Sequence, residues 1–224
     1  LGDREIRDLD VVVRWARELG YRRVALVGFS MGASIVLRHA GLVGGVDAVV
    51  SVSGPGRWYY RGTESMRRVH FAVEHRIGRF VTRRWLKTRI SPAGWKLVPV
   101  PPAEAAAKIS PVPLLIVHGD KDHYFPPEHA RQLYMAAKDP KELWLIPGMG
   151  HAEAACGQGL VDRIGRWVEA AVARHEAAAP SGEIPSPGIA VTGMAAPGMA
   201  APGMAAPGIS APQEAPAATP HAAA

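Results

Sequence analysis

Ser30 lies at the centre of the pentapeptide Gly28-Phe29-Ser30-Met31-Gly32, directly after the apolar run 24–27 and directly before a helix-like stretch. A strand that turns sharply into a helix at such a serine exposes the hydroxyl and strains the serine backbone. The tight turn accommodates only small residues two positions to either side, which is the role expected for Gly28 and Gly32. The pattern predicts a nucleophilic serine.

A serine hydroxyl is a weak nucleophile unless an imidazole takes its proton and a carboxylate orients that imidazole. The segment 118–126 follows a second apolar run and contains two candidate carboxylates, Asp120 and Asp122, while Gly148-Met149-Gly150-His151 follows a third run. The order serine, aspartate, histidine is the one found on doubly wound sheets. From the residues alone, either carboxylate can be the partner of His151, and Asp122 can instead cap the following helix.

The other histidines and the cysteine near these motifs are not expected to take part in catalysis. His118 stands before the turn and is expected to be structural, and His123 is expected to lie on the surface. Together with the two aspartates they could suggest zinc, but the spacing is not that of a metallo-hydrolase, so no metal and no cofactor are expected. Cys156 is the only cysteine, which excludes an internal disulfide, and no activating pair is evident beside it.

Apolar periodicity predicts alternating helices and strands. Helices are predicted over 3–19, from Ser30 to about 41, and over 127–138 and 159–176; continuous apolar runs predict buried strands over 24–27, 47–53, 114–117 and 142–146. This alternation is typical of an α/β fold with a doubly wound, mostly parallel sheet.

The excursion over residues 54–111 is too long for a simple crossover. Its middle part, 66–89, has apolar residues at helical intervals between many arginines, which predicts one helix in an insertion over the mouth of the sheet. A basic amphipathic helix can lie on an anionic membrane. A charged face over a packed apolar stripe is the commoner case and is the one expected here.

Composition divides the chain near residue 176. Residues 177–224 are rich in Ala, Pro and Gly, contain a fading five-residue repeat beginning at Gly193-Met194-Ala195-Ala196-Pro197, and predict a disordered tail after a domain over 1–176. The formal charge is +6, and because the tail contributes two negative charges the remainder carries +8. A basic surface attracts anions without selecting among them, and no nucleic-acid-binding signature accompanies it.

The three motifs around Ser30, Asp122 and His151 resemble those of the α/β-hydrolase superfamily, in particular its bacterial esterases, lipases and serine-peptidase-like members. The resemblance covers about residues 3–176. It implies that Ser30 is the nucleophile, Asp122 the acid and His151 the general base, and that Met31 donates one oxyanion-hole N–H. Members of the family also have roughly four strands before the nucleophile strand and a second oxyanion donor there. This sequence starts too late to contain either, so we expect an uncovered edge on the nucleophile strand and half an oxyanion hole.

The expected function is serine-dependent hydrolysis of carboxylic esters or related acyl bonds through an acyl-enzyme. The alternatives are a non-catalytic binding protein with the same fold, or an acyltransferase or peptidase that uses it. A small acyl substrate is expected, with a pocket lined by aromatic residues of the insertion: Trp58, Tyr59, Tyr60, Phe71, Phe80, Trp85 and Trp95. No nucleic acid partner is expected. With a single cysteine, no disulfide pattern indicates an oxidising compartment, and a reducing cytoplasm is taken as the default location.

Overall fold

The computed structural model describes residues 4–85, 87, 95, 97–153 and 157–178, all within one compact unit. They form four strands and seven helices. The strands are β1 (Ala25–Phe29), β2 (Ala48–Val52), β3 (Leu114–Gly119) and β4 (Lys141–Ile146), and the helices are α1 (Glu5–Glu18), α2 (Met31–Leu42), α3 (Glu64–Glu74), α4 (Arg76–Trp85), α5 (Pro102–Ala106), α6 (Glu128–Ala136) and α7 (Gln158–Ala178).

The strands form one parallel sheet in the order β1-β2-β3-β4. In register, Leu26 lies beside Val49 and Val49 lies beside Leu114. Helices connect the strands, as parallel connections require. The predicted α/β class and parallel sheet are confirmed, and because all four strands point the same way, the loops that follow them meet at one edge.

Alternating side chains of the strands pack into two cores on opposite faces of the sheet. Val49, Leu114 and Ile116 face the core formed with α2, α5 and α6, whereas Val50 and Leu115 face the core formed with α7. The strands β2 and β3 are buried at every position. Burial on both faces explains why their sequences read as continuous apolar runs rather than alternating ones.

The outer strands are less covered than their apolar sequences predict. In β1, Leu26 is buried on one face, but Val27 and Phe29 are exposed on the other. Positions in β4 are mostly half-buried. The expectation of complete cover therefore fails for β1 and β4. The physical reason is that α7 packs over the middle of the sheet and leaves that face of β1 open, and among the described residues β1 has β2 as its strand neighbour.

Two helices, α3 and α4, occupy the part of the insertion where the sequence predicts one, and α5 is a further helix of the insertion that the sequence does not predict. The chain becomes extended at His75, with φ −85° and ψ 141°, so α3 ends at Glu74 and α4 begins at Arg76. The expected packed apolar stripe is also wrong. On α4 the buried positions are Gly78 and Thr82, while Ile77, Phe80 and Trp85 are exposed.

The last helix extends slightly beyond the predicted domain boundary. α7 ends at Ala178, so residues 177 and 178 belong to the helix and not to the predicted tail. The remainder of that tail, including the repeats, lies outside the described residues, as does Cys156.

Candidate active site

Ser30 occupies the junction between β1 and α2 with a backbone that few side chains adopt. Its φ is 53° and its ψ is −118°, a left-handed conformation that costs a non-glycine residue free energy. The Ser30 N–H donates to Val52 O at 2.9 Å, which ties the strained residue to the end of β2. The hydroxyl does not cap α2 and is therefore available for another partner.

The two glycines of the pentapeptide have different roles. A Cβ on Gly28 would lie 2.6 Å from the carbonyl carbon of Gly32 and 2.7 Å from Val36 Cγ2, so only glycine fits there. A Cβ on Gly32 would meet nothing within 4 Å. The expectation that both positions need a small residue holds for Gly28 and is wrong for Gly32 in this structure.

Asp122 lies in the loop after β3 and is held by backbone amides. Its Oδ1 accepts from Tyr124 N–H at 2.8 Å and from Phe125 N–H at 3.0 Å. Burial acts to raise the pKa of Asp122, but the hydrogen bonds from His151 and from these two amides outweigh it, so the pKa is lowered. The carboxylate is ionised and can only accept hydrogen bonds.

His151, in the loop after β4, lies between Asp122 and Ser30. Its Nδ1 is 2.8 Å from Asp122 Oδ2, and its Nε2 is 2.8 Å from Ser30 Oγ. Because Asp122 only accepts, Nδ1 carries the proton and Nε2 presents a lone pair to the Ser30 hydroxyl. The structure thus brings together the three side chains that the sequence selected, which lie up to 121 positions apart.

Asp120, the other carboxylate weighed from the sequence, has a different partner. Its Oδ1 accepts from Gly148 N–H at 2.7 Å, and the neighbouring Lys121 N–H donates to Met149 O at 3.0 Å. Asp120 therefore fastens the β3–α6 loop to the loop that carries His151. Asp122 does not cap α6, which begins at Glu128.

His118 supports the acid loop from the end of β3. Its side chain is fully buried, and its Nε2 lies 2.8 Å from Phe125 O and 3.5 Å from Asp122 Oδ2. A carbonyl oxygen only accepts, so Nε2 carries the proton. Burial lowers the pKa of His118 and keeps the ring neutral. His123, by contrast, is exposed.

Two neighbouring groups were not selected from the sequence. The Tyr124 ring centroid is 4.7 Å from that of His151, and Tyr124 O accepts from Thr63 Oγ1 at 2.9 Å. His129 is buried next to Phe125, and its Nδ1 accepts a hydrogen bond from Gly56 N–H at 3.1 Å. The position of Tyr124 two residues after Asp122 is the available signal, whereas nothing local marks His129.

The aromatic residues expected to line a pocket divide into two groups. Trp58, Tyr59 and Trp95 form a cluster with ring centroids 5.3 Å and 5.4 Å apart, and Tyr60 packs on His129 at 4.4 Å. Phe71, Phe80 and Trp85 are exposed on α3 and α4, and Tyr59 is exposed as well. Exposure to solvent does not fit the lining role predicted for these four.

A cleft of about 930 Å³ lies at the opposite end of the sheet from Ser30. It is lined by residues at the beginnings of β3 and β4 and along the second half of α7, among them Pro113, Lys141, Trp167 and His175. Its position separates it from the serine and histidine loops.

Metal-binding clusters and membrane-spanning helices are both absent from the described part of residues 4–178. No group of three or more His, Cys, Asp or Glu side chains is arranged to hold a metal ion. No helix there combines the length and apolarity that crossing a bilayer requires.

With this geometry in view, comparison with known proteins identifies the family. The sequence profile of the Alpha/beta hydrolase family matches residues 2–163, which is more than half of the chain. The chain therefore belongs to the alpha/beta hydrolase family, and the resemblance found in the sequence is confirmed. Membership supports hydrolase activity in general.

Individual relatives match shorter or more distant stretches. The uncharacterized protein YfhR of Escherichia coli is 50% identical over 48 residues, which are 21% of this chain and 17% of that protein. An esterase of Pyrococcus furiosus has 23% identity and a TM-score of 0.55 over 77% of this chain and 62% of its own. An esterase domain from Rhodothermus marinus has 22% identity and a TM-score of 0.53 over 75% of this chain and 69% of its own. At these identities the two structures support the fold.

Proposed function

We propose that this chain carries the catalytic groups of a serine-dependent hydrolase that cleaves carboxylic esters or related acyl bonds. The observation that carries the proposal is the continuous chain of hydrogen bonds from Asp122 through His151 to Ser30, both 2.8 Å long. The family is consistent with it. The chain spans only 62% of the length of the Pyrococcus esterase. Esterase activity of the whole protein is therefore part of what we propose.

In the proposed reaction, Ser30 Oγ attacks the acyl carbonyl carbon while His151 Nε2 takes the hydroxyl proton. The tetrahedral intermediate collapses when His151 returns that proton to the departing alkoxide, and an acyl-Ser30 ester remains. Water, deprotonated by His151, then releases the acid. Asp122 keeps Nδ1 protonated and stabilises the charged imidazole at each step.

Met31 is the proposed donor to the developing oxyanion. It is the first residue of α2, and the first amides of a helix have no intrahelical acceptor. Its amide also lies at the positive end of the helix dipole. Because it directly follows Ser30, its N–H is adjacent to the attacking oxygen.

The surroundings of His151 favour an uncharged acyl substrate. The rings of Tyr124 and Phe125 lie 4.7 Å and 5.8 Å from the His151 ring, and Met149 precedes it in the same loop. Such walls favour an ester with an apolar acyl or alcohol group. They supply little to hydrogen-bond a sugar.

The test uses the complete 224-residue chain with a fluorophosphonate probe and a short-chain p-nitrophenyl ester. We expect labelling at Ser30 and ester hydrolysis, and we expect Ser30→Ala to lose both. The matched control is Ser34→Ala, one turn along α2, where a buried hydroxyl is replaced by a similar small side chain. This variant should be labelled like the original chain.

Mass spectrometry of the labelled protein decides the outcome. Labelling at another residue, or an ester rate that survives Ser30→Ala, would contradict the assignment of the nucleophile. A folded chain that stays unlabelled would favour the non-catalytic alternative.

A further inference from the structure

Helix α4 carries small buried residues on one side and large apolar residues on another, with arginines beside the apolar residues and Arg84 among them. Gly78 and Thr82, four residues apart, face the protein and are buried. A Cβ on Gly78 would lie 2.7 Å from Ala72 Cα, so α3 and α4 touch closely along this side. The close packing uses the small residues, and it leaves the large apolar residues of α4 pointing elsewhere.

Those large apolar residues form an exposed stripe. Ile77 is 61% exposed, Phe80 69% and Trp85 81%, at spacings that place them on one side of the helix. Exposed apolar stripes of this kind, rimmed by polar residues, mark interaction surfaces. Tryptophan and phenylalanine on such a stripe are typical of helices that lie in the membrane interface.

The charges of α4 select one sign of partner. The helix contains Arg76, Arg79, Arg83 and Arg84 and no acidic residue. The acidic groups of α3 are already paired, since Glu64 contacts Arg68 and Glu74 contacts Arg61. The surface next to the apolar stripe is therefore positive, and it complements an anionic partner.

A second helix with exposed apolar residues serves as an internal comparison. α1 exposes Val11 and Trp15, but its acidic residues outnumber its basic ones: Glu5, Asp8, Asp10 and Glu18 against Arg7, Arg14 and Arg17. An anionic surface would repel that helix and attract α4. Exposed apolar area alone therefore does not distinguish the two helices, whereas charge does.

We propose that α4 docks on the surface of a lipid bilayer that contains anionic headgroups. Ile77, Phe80 and Trp85 would enter the boundary between headgroups and acyl chains. Arg76, Arg83 and Arg84 would contact the headgroup phosphates, with their methylene stems along the apolar boundary. The proposal concerns a binding surface and stands independently of the chemistry at Ser30.

The position of the helices gives such docking a consequence for the site. Thr63 caps α3 by accepting from Met66 N–H, and the same hydroxyl donates to Tyr124 O. Tyr124 in turn packs against His151. The α3–α4 pair is therefore fastened to the loop of the candidate active site, and docking through α4 would act on a helix pair that is bonded to that loop.

The charge arm of the test measures partitioning of the complete chain onto two kinds of vesicle, phosphatidylcholine alone and an equimolar mixture with phosphatidylglycerol. We expect strong binding to the mixed vesicles that weakens with salt. Arg83→Glu/Arg84→Glu should lower that binding at least about tenfold. The matched control Arg7→Glu/Arg166→Glu makes the same change of net charge on α1 and α7 and should bind nearly as the original chain does.

The apolar arm uses Phe80→Ser/Trp85→Ser, which should also lose vesicle binding. Its control, Val11→Ser/Trp15→Ser, removes exposed apolar residues from α1 and should retain binding. All four positions are exposed, so each variant should keep the unfolding midpoint of the original chain, which is checked first.

Several results would overturn the proposal. These are equal binding to both vesicle types, equal losses in the Arg83/Arg84 and control pairs, or a chain that stays in solution with either vesicle. A concentration-dependent dimer that Phe80→Ser/Trp85→Ser dissociates would show that a second copy covers the stripe instead. Ser30→Ala should bind vesicles normally, so loss of the esterase proposal and loss of this one are distinguishable.

Discussion

At the scale of single residues, the candidate site depends on a strained serine between two glycines with unequal roles. Ser30 keeps a positive φ because β2 and α2 hold both sides of it, and the close approach of α2 leaves no room beside Gly28. The sequence motif treats Gly28 and Gly32 alike. The structure separates them, which leads to a paired prediction.

Gly28→Ala should destabilise the chain by about 1–3 kcal/mol, because the added methyl group forces backbone atoms apart. Gly32→Ala should leave stability unchanged or raise it by up to about 1 kcal/mol, since its methyl group meets open space within a helix. Urea unfolding of the two variants measures both effects. Equal destabilisation by the two substitutions would show that the space around Gly32 is not open in solution.

Much of the candidate site could be predicted at this scale. The residue types Ser30, Asp122 and His151 carry recognisable local motifs, and the strand before each one fixes the edge where they meet. Tyr124 and His129 could not be predicted as neighbours of the site in the same way. Their importance comes from contacts with His151 and Gly56, which are distant in sequence and depend on packing.

At the scale of elements, two loops act as one unit. Asp120, in the loop after β3, accepts from Gly148 N–H, in the loop after β4. A Cβ on Gly119 would lie 2.6 Å from the carbonyl carbon of Met149, so the two loops are in contact. The orientation of His151 therefore depends on a carboxylate that does not touch it.

Asp120→Ala should lower the turnover of the proposed esterase several-fold, because removing one hydrogen bond to a backbone amide loosens the histidine loop by about 1 kcal/mol. Asp120→Asn keeps an accepting oxygen and should retain most of the activity, whereas Asp122→Asn should be far more damaging. Steady-state kinetics of the three variants provides the comparison. If Asp120→Asn proved as harmful as Asp122→Asn, the purely positional role of Asp120 would be contradicted.

The sequence predicts the four strands and the helices α1, α2, α6 and α7 within a few residues. Burial on both faces explains the continuous apolar runs of β2 and β3, whereas β1 and β4 have such runs although they are only partly covered. The sequence prediction fails at His75, where two helices replace one. Apolar residues recur at helical intervals across the break, so periodicity cannot reveal it. Gly78 was the available signal, because a glycine on an otherwise bulky helix allows a neighbouring helix to approach closely.

At the scale of the whole molecule, buried histidines couple folding to pH. Burial and the nearby Arg57 lower the pKa of His129 to about 4 from 6.5, and burial lowers the pKa values of His118 and His39 as well. These rings are neutral in the folded chain. Between pH 6.5 and pH 4 the unfolded chain binds more protons at His129 than the folded chain does. The contribution of neutral His129 to the free energy of unfolding is therefore fully present above pH 6.5 and is lost as the pH falls toward 4.

For His129 this loss should amount to about 3 kcal/mol across that range. His129→Asn keeps an acceptor for Gly56 N–H but cannot titrate. Its free energy of unfolding should therefore vary less between pH 6.5 and pH 4 than that of the original chain. Urea unfolding at pH 6.5 and at pH 4 measures the free energy of unfolding of both proteins. If that free energy fell by the same amount in both proteins between the two pH values, the prediction would be contradicted.

The far end of α7 offers a practical handle on this molecule. Arg23, just before β1, forms a two-pronged ion pair with Glu176, and Arg174 lies 3.9 Å from Glu142 at the start of β4. The end of α7 therefore lies beside the amino-terminal ends of the strands. A strand length of about 17–20 Å separates it from the loops that follow the strands. In a chain whose Cys156 has been replaced by serine, a fluorophore or surface linker joined through a cysteine introduced at the exposed residue Ala177 would leave the serine side of the molecule unobstructed for an arriving substrate.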